Sequence, residues 1–120
     1  MQQRDASQRI LARQALDVVA GRWVLEVAEQ LAQRSPMRYG ELVDAIANIA
    51  EGSLSRTLRQ MERDGLVRRI AQPTMPMQVD YELTHAGRSV IDLVDVLAAW
   101  AREHGRGVAR AREAYDDPQG

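Results

Sequence analysis

Between Ser53 and Val79 the chain carries five arginines, Arg56, Arg59, Arg63, Arg68 and Arg69, against two acids, Glu62 and Asp64. That segment is +3, and the whole 120-residue chain is −1, so the remainder carries −4. A planar guanidinium grips two acceptors at once, which suits phosphate oxygens and the O6/N7 edge of guanine. Gln60, set among these arginines, has the donor and acceptor that the edge of adenine requires. All sixteen basic residues are arginine. GC-rich coding would produce that bias, and so would a need for two-pronged recognition. A pI near 6.1 argues against a nucleic-acid partner for the chain as a whole, and the local +3 argues for one.

Other chemistry finds little support. Ser53 and Ser55 have no histidine at a spacing that would make it their base. His85 and His104 lie far apart without a Glu-x-x-His or cysteine partner, so neither a metal nor another cofactor is expected. The absence of cysteine removes thiolate ligands, thiol nucleophiles and thiol redox sensing. Gly105-Arg106-Gly107 lacks the lysine and preceding strand of a phosphate loop. Asp116-Asp117 reads as part of a tail, not as a catalytic pair. No enzyme is expected.

The elements that must position the arginines follow from periodicity. Leu54, Leu58 and Met61 share one helical stripe, which turns Gly52, Ser53, Arg56, Arg59, Gln60 and Arg63 outward. Asp64-Gly65 ends that helix, with glycine as the C′ residue. Ahead of it, a short helix over Tyr39 to Ala47 points Leu42, Val43 and Ile46 inward, and Asn48 to Gly52 make a turn. Two short helices and a tight turn form a helix-turn-helix over about 38–65. The period then changes to two. Leu66 to Ile70 and Val79 to Leu83 read as strands, joined by a loop from Gln72 to Met77 that contains Pro73 and Pro76. This hairpin, over about 66–84, is a wing.

Upstream, Ile10, Leu11, Leu16, Val18 and Val19 suggest a helix with Ser7 as N-cap candidate, ending at Ala20-Gly21. Val24, Val27, Ala28 and Leu31 form the stripe of a second helix, stopped by Ser35-Pro36. Thr84 is the N-cap candidate of a last helix over about 84–104. Its Val90, Ile91, Leu93, Val94, Val96, Leu97 and Trp100 cover more than one stripe, as a dimerisation helix or a central core helix would. Residues 114–120 read as a disordered tail. With 45% hydrophobic and 28% charged residues, no repeat and no linker, the chain is one domain, residues 1–120. The fold class is mainly α with a small β-hairpin, a winged helix-turn-helix with N- and C-terminal dimerisation helices. No apolar run approaches the ~20 residues of a membrane span, and the polar start is no signal peptide, so a cytoplasmic protein is expected.

The residues at the joints carry a resemblance. Gly21-Arg22-Trp23, Arg38-Tyr39-Gly40-Glu41-Leu42, the run from Leu54 to Val67, and Val79-Asp80-Tyr81-Glu82-Leu83-Thr84 followed by Gly87 resemble, in order and spacing, the motifs of HxlR-type bacterial transcriptional regulators. Trp100 is similar to a tryptophan late in their last helix. The resemblance spans roughly residues 10–104. It implies a homodimeric transcription factor with the recognition helix in the major groove, the wing on the backbone, and control by a small molecule or reactive species. Three positions depart from the pattern. Ile10 stands where many members have a cysteine, Ala50 where a serine often caps the recognition helix, and Gln78 where the wing has lysine. Glu51 and Gly52 also occupy places where donors to DNA would be expected.

The expected DNA contacts are Arg38, Tyr39, Ser53, Ser55, Arg56, Arg59, Gln60, Arg63 and Arg69. Arg68 and Arg69 are neighbours on a strand and point to opposite faces, so one is expected to reach DNA and the other to form a surface ion pair. The expected dimer interface is Ile10, Leu11, Val90, Leu93, Val94, Leu97 and Trp100. Trp23, Met75, Met77, Tyr81 and Trp100 are candidates for an effector pocket. Alternatively, the tryptophans serve core and dimer packing and the methionines an exposed loop. The expected partners are a second copy, a pseudo-palindromic double-stranded operator and a small-molecule effector. The alternative is a winged-helix module that binds a protein or ligand and no specific DNA.

Overall fold

A computed structural model describes residues 6–118. Along the chain run α1 (Ala6–Val19), α2 (Val24–Gln33), β1 (Met37–Arg38), α3 (Tyr39–Ala45), α4 (Glu51–Arg63), β2 (Val67–Gln72), β3 (Gln78–Leu83) and α5 (His85–Asp116). The stripes read from periodicity meet in one core. Val24, Val27, Ala28 and Leu31 of α2 pack with Leu42, Ile46, Leu54, Leu58 and Met61, all buried. Met37, Leu66, Val67, Leu83 and Val90 close it from the sheet and α5.

The helix ends are set by local chemistry. At the head of α4, Ala50 occupies the N-cap in extended conformation and makes no side-chain bond. The helix starts at Glu51, so Glu51 and Gly52, read as turn, belong to its first turn. A carboxylate there meets the positive end of the helix dipole and offsets the missing cap. At the other end the Leu66 N–H donates to Met61 O at 2.8 Å and the Gly65 N–H to Glu62 O at 3.0 Å. This is a Schellman closure, which needs the left-handed φ of +77° at Gly65.

The sheet has a strand that periodicity missed. Its order is β1-β3-β2, all antiparallel, with Met37 opposite Tyr81 and Arg38 opposite Asp80. Two residues are too short for alternation to show. In the hairpin, Val67 faces Leu83 and Gln72 faces Gln78, and residues 73–77 form the tip.

One joint ties four elements together. The Thr84 side chain accepts from the Gly87 N–H at 3.0 Å, capping α5 as expected. Its hydroxyl also donates to Gly65 O at 2.6 Å, with Leu66 O at 3.0 Å beside it. The Thr84 N–H bonds Leu66 O. The end of α4 and the starts of β2 and α5 therefore meet where β3 stops.

Several expectations need correcting. Ser7 lies inside α1, which already runs from Ala6, and the residues ahead of Ala6 fall outside the described ones. The last helix does not end near 104. It continues through Gly105 and Gly107 to Asp116, so residues 114–116 are helical and not a disordered tail. Ala109 to Ala114 are strong helix formers, which outweigh two glycines at ~1 kcal/mol each. Gln119 and Gly120 lie outside the described residues. Val90, expected in a dimer interface, is 5% exposed and belongs to the protomer's own core. Ile91 and Val94 lean on that core too.

The protomer is elongated, 65 × 38 × 21 Å, with a radius of gyration of 18.5 Å. A compact chain of this length would have about 14 Å. The excess comes from two arms. α1 is exposed from Ala6 to Asp17, including Ile10, Leu11 and Leu16. On α5, Leu93, Val96, Leu97 and Trp100 are exposed, while Val90 and Val94 face inward.

Candidate nucleic-acid interface

α4 buries Leu54, Leu58 and Met61, and this fixes the opposite arc toward solvent. Arg56, Arg59, Gln60 and Arg63 are exposed there, and Ser53 is half-buried at the edge. None of Arg56, Arg59 or Arg63 has an ion pair among the described residues, and Arg56 Nη2 donates to the Ser53 hydroxyl at 3.3 Å. Unpaired guanidiniums need no internal partner broken before they meet an anion.

Gln60 is oriented. Its Nε2 donates to both Asp64 carboxylate oxygens at 3.1 Å, one helical turn on. Carboxylate oxygens only accept, so the amide nitrogen faces Asp64 and the amide oxygen is left as the outward acceptor.

Arg38 is exposed at the N-cap of α3, where its backbone N–H donates to Glu41 Oε1 at 2.9 Å. It has no ion pair among the described residues. Glu41 also pairs with Arg34. At the base of the wing, Arg68 is the member of its pair that binds an acid, Glu82 across the hairpin, while Arg69 has none.

Tyr39 and Ser55 join the two helices of the motif. The Tyr39 hydroxyl donates to Glu51 O at 2.7 Å and lies 3.0 Å from Ser55 Oγ. Both residues are half-buried and clamp the start of α3 to the first turns of α4. They hold α4 in place from the edge of its outward arc. The turn between the two helices contains Asn48 at φ +65°, a left-handed position that asparagine tolerates.

The wing holds a group that sequence reasoning missed. Asp80 is the only charged residue buried among the described ones. Its Oδ1 accepts from Gln78 Nε2 at 3.0 Å and its Oδ2 from Gln72 Nε2 at 3.2 Å. Gln78, which stands where the resemblance puts a lysine, thus braces the hairpin against a buried carboxylate. The alternation of Val79 to Leu83 hid this, because Asp80 reads as an outward polar residue.

The five candidates for an effector pocket do not come together. Met75 and Met77 stand at the wing tip, 99% and 67% exposed. Tyr81 packs on the core from β3, and Trp100 is exposed on α5 beside the His104 ring, 5.3 Å between centroids. Trp23 precedes α2 with the Arg22 guanidinium over its ring at 4.0 Å. Among the main surface cavities, Trp23 is the one member of the five that appears in a lining.

The description of the HxlR-like helix-turn-helix family matches residues 18–108. The chain belongs to that family. As an HxlR-like protein it is a DNA-binding transcriptional regulator of the helix-turn-helix type. It is 33% identical over 90 residues to the uncharacterised HTH-type transcriptional regulator YdzF of Bacillus subtilis strain 168, covering 75% of this chain and 83% of YdzF. A crystal structure assigned to the MarR family of transcriptional regulators, from Enterococcus faecalis V583, superimposes with a TM-score of 0.72 at 33% identity. The match covers 92% of this chain and 97% of that one. The reduced form of the redox regulator HypR superimposes with a TM-score of 0.68 at 27% identity, over 83% of this chain and 97% of HypR. Unlike a thiol-based sensor, this HxlR-like chain has no cysteine. No helix among its described residues is long and apolar enough to cross a membrane.

Proposed function

We propose that two copies of this chain associate through α1 and the outer face of α5 and read a two-fold-related operator. Each copy lays α4 in a major groove. Arg56, Gln60 and Ser53 reach base edges, Arg59 and Arg63 reach bases or phosphates, and Arg38 and Arg69 hold the backbone on either side. The observation that carries this reading is the outward arc of α4, three arginines and an oriented glutamine with no acid paired to the arginines. Association of two copies is supported by the exposed Ile10, Leu11, Leu16, Leu93, Val96, Leu97 and Trp100, on faces of α1 and α5 turned away from the protomer's core. A small molecule tunes the affinity; cysteine oxidation does not, since the chain has no thiol. The protein acts in the cytoplasm, where its DNA is.

The test is fluorescence anisotropy of the purified protein on the intergenic DNA upstream of its own gene, over a salt series. Tight, sequence-selective binding that weakens with salt along a slope of several phosphates is expected. Replacing Arg56 with alanine should cost ~1–3 kcal/mol on the operator and leave random DNA unaffected. Equal losses on both would make Arg56 a phosphate contact. Weak binding, equal on operator and random DNA, would overturn the reading in favour of a winged-helix module with a protein or ligand partner.

A further inference from the structure

A cavity of about 310 Å³ opens between the start of α2 and the turn that joins α3 to α4. Arg22, Trp23, Glu26 and Glu29 line one side, and Ile46, Ala47 and Asn48 the other. Its size is at the small end of what ligand sites occupy. The Arg22 guanidinium lies over the Trp23 ring and binds one oxygen of the Glu26 carboxylate, Oε1, at 3.3 Å. The other oxygen, Oε2, is buried and has no hydrogen-bond partner. A buried acceptor without a donor is costly, and native structures rarely leave one without a reason. Glu29 adds a second carboxylate with no ion pair among the described residues, so one negative charge of the lining is uncompensated.

We infer that this cavity is the effector site and that its ligand is a small organic cation, a protonated amine with a flat or apolar body. The ammonium pairs with the Glu26 and Glu29 carboxylates, and its charge cancels the one negative charge that Arg22 leaves over. The body lies against Trp23 and Ile46. The far wall is the turn around Asn48, whose backbone sets the angle between α3 and α4, so an occupant bears directly on the recognition helix. This inference rests on the proposed regulator for its consequence, though not for the binding itself.

The probe is benzylamine, with benzyl alcohol and benzoate as neutral and anionic controls of similar shape. Two tryptophans give two indole N–H signals in a ¹H–¹⁵N spectrum, and Trp23→Phe assigns the one in the cavity. Benzylamine should shift the Trp23 signal saturably and leave that of Trp100 in place, and the controls should do neither. Glu26→Gln should weaken the response at least tenfold while the rest of the spectrum keeps its dispersion. Ala47→Leu, which fills the cavity from the turn, should abolish it. No shift, an equal shift from all three compounds, or an unchanged response in Glu26→Gln would overturn the site. Operator affinity is then measured with and without benzylamine. A changed midpoint supports the effector role, and binding without a change refutes that role. Absent operator binding refutes the regulator reading alone, because the indole signals report on the site without DNA.

Discussion

Gly87 should be the least tolerant of the described glycines, and the structure gives the size of the effect. A Cβ built there would lie 2.2 Å from Leu66 O, 2.5 Å from Leu83 Cδ1 and 3.0 Å from Leu83 Cγ. The first is a backbone atom already held by the Thr84 N–H, so it cannot simply rotate away. Relief requires the start of α5 to retreat by more than an ångström, out of reach of the Thr84 cap. Overpacking of this kind costs ~1–3 kcal/mol, and a lost N-cap adds ~1 kcal/mol. Alanine in place of a helical glycine returns up to ~1 kcal/mol. Gly87→Ala is therefore expected to destabilise by ~1–3 kcal/mol, lowering Tm by about 4–12 °C for a domain of this size. Thermal melting by far-UV circular dichroism at one fixed chain concentration reads it, since association would otherwise shift Tm. Gly107→Ala is the control. It lies in the same helix with open space where its Cβ would go, so it should gain up to ~1 kcal/mol from propensity alone. A Gly87→Ala Tm equal to or above wild type would refute the reasoning, because propensity would then be the only effect present.

Two further outcomes follow from the helix ends and arms. Ala50→Ser supplies the missing cap of α4 at a residue already in extended conformation, and should stabilise by ~1 kcal/mol in urea denaturation. No gain would mean that Glu51 already satisfies the first turn. Leu97→Glu places a charge on the outer face of α5, away from the core, so the protomer should fold as before. Sedimentation should then show one copy where wild type shows two, and a variant that remains paired would locate the association elsewhere.

The legible parts of the fold were those in which one residue type has one job. The α2 and α4 stripes, the Gly65 terminus and the Thr84 cap each follow from a periodicity or a stereochemical demand that operates within a few residues. What escaped depends on contacts made at a distance. β1 is two residues long and exists because β3 offers it an edge. The inward role of Asp80 depends on Gln72 and Gln78, which reach it across the hairpin. Tyr39 and Ser55 looked like polar surface groups until the helix angle brought them together. The division of α5 into a core-facing half and a free half needed the position of α2. Trp23 did prove to line a cavity, with Arg22 and Glu26 as its companions in place of the wing methionines.

The joint at Thr84–Gly87 has a mechanical consequence. The wing, the end of the recognition helix and the root of α5 are fastened at one point, with no room for a methyl group between them. A joint packed this closely passes movement of α5 on to the wing and to the end of α4, and α5 is 32 residues or about 48 Å long. A rotation of roughly 5° about its far end swings the near end by about 4 Å, more than the ~3.4 Å between successive base pairs. In the proposed pair of copies, small changes in how the two α5 helices cross would move the two α4 helices by a full base step, without any bending inside either DNA-reading head.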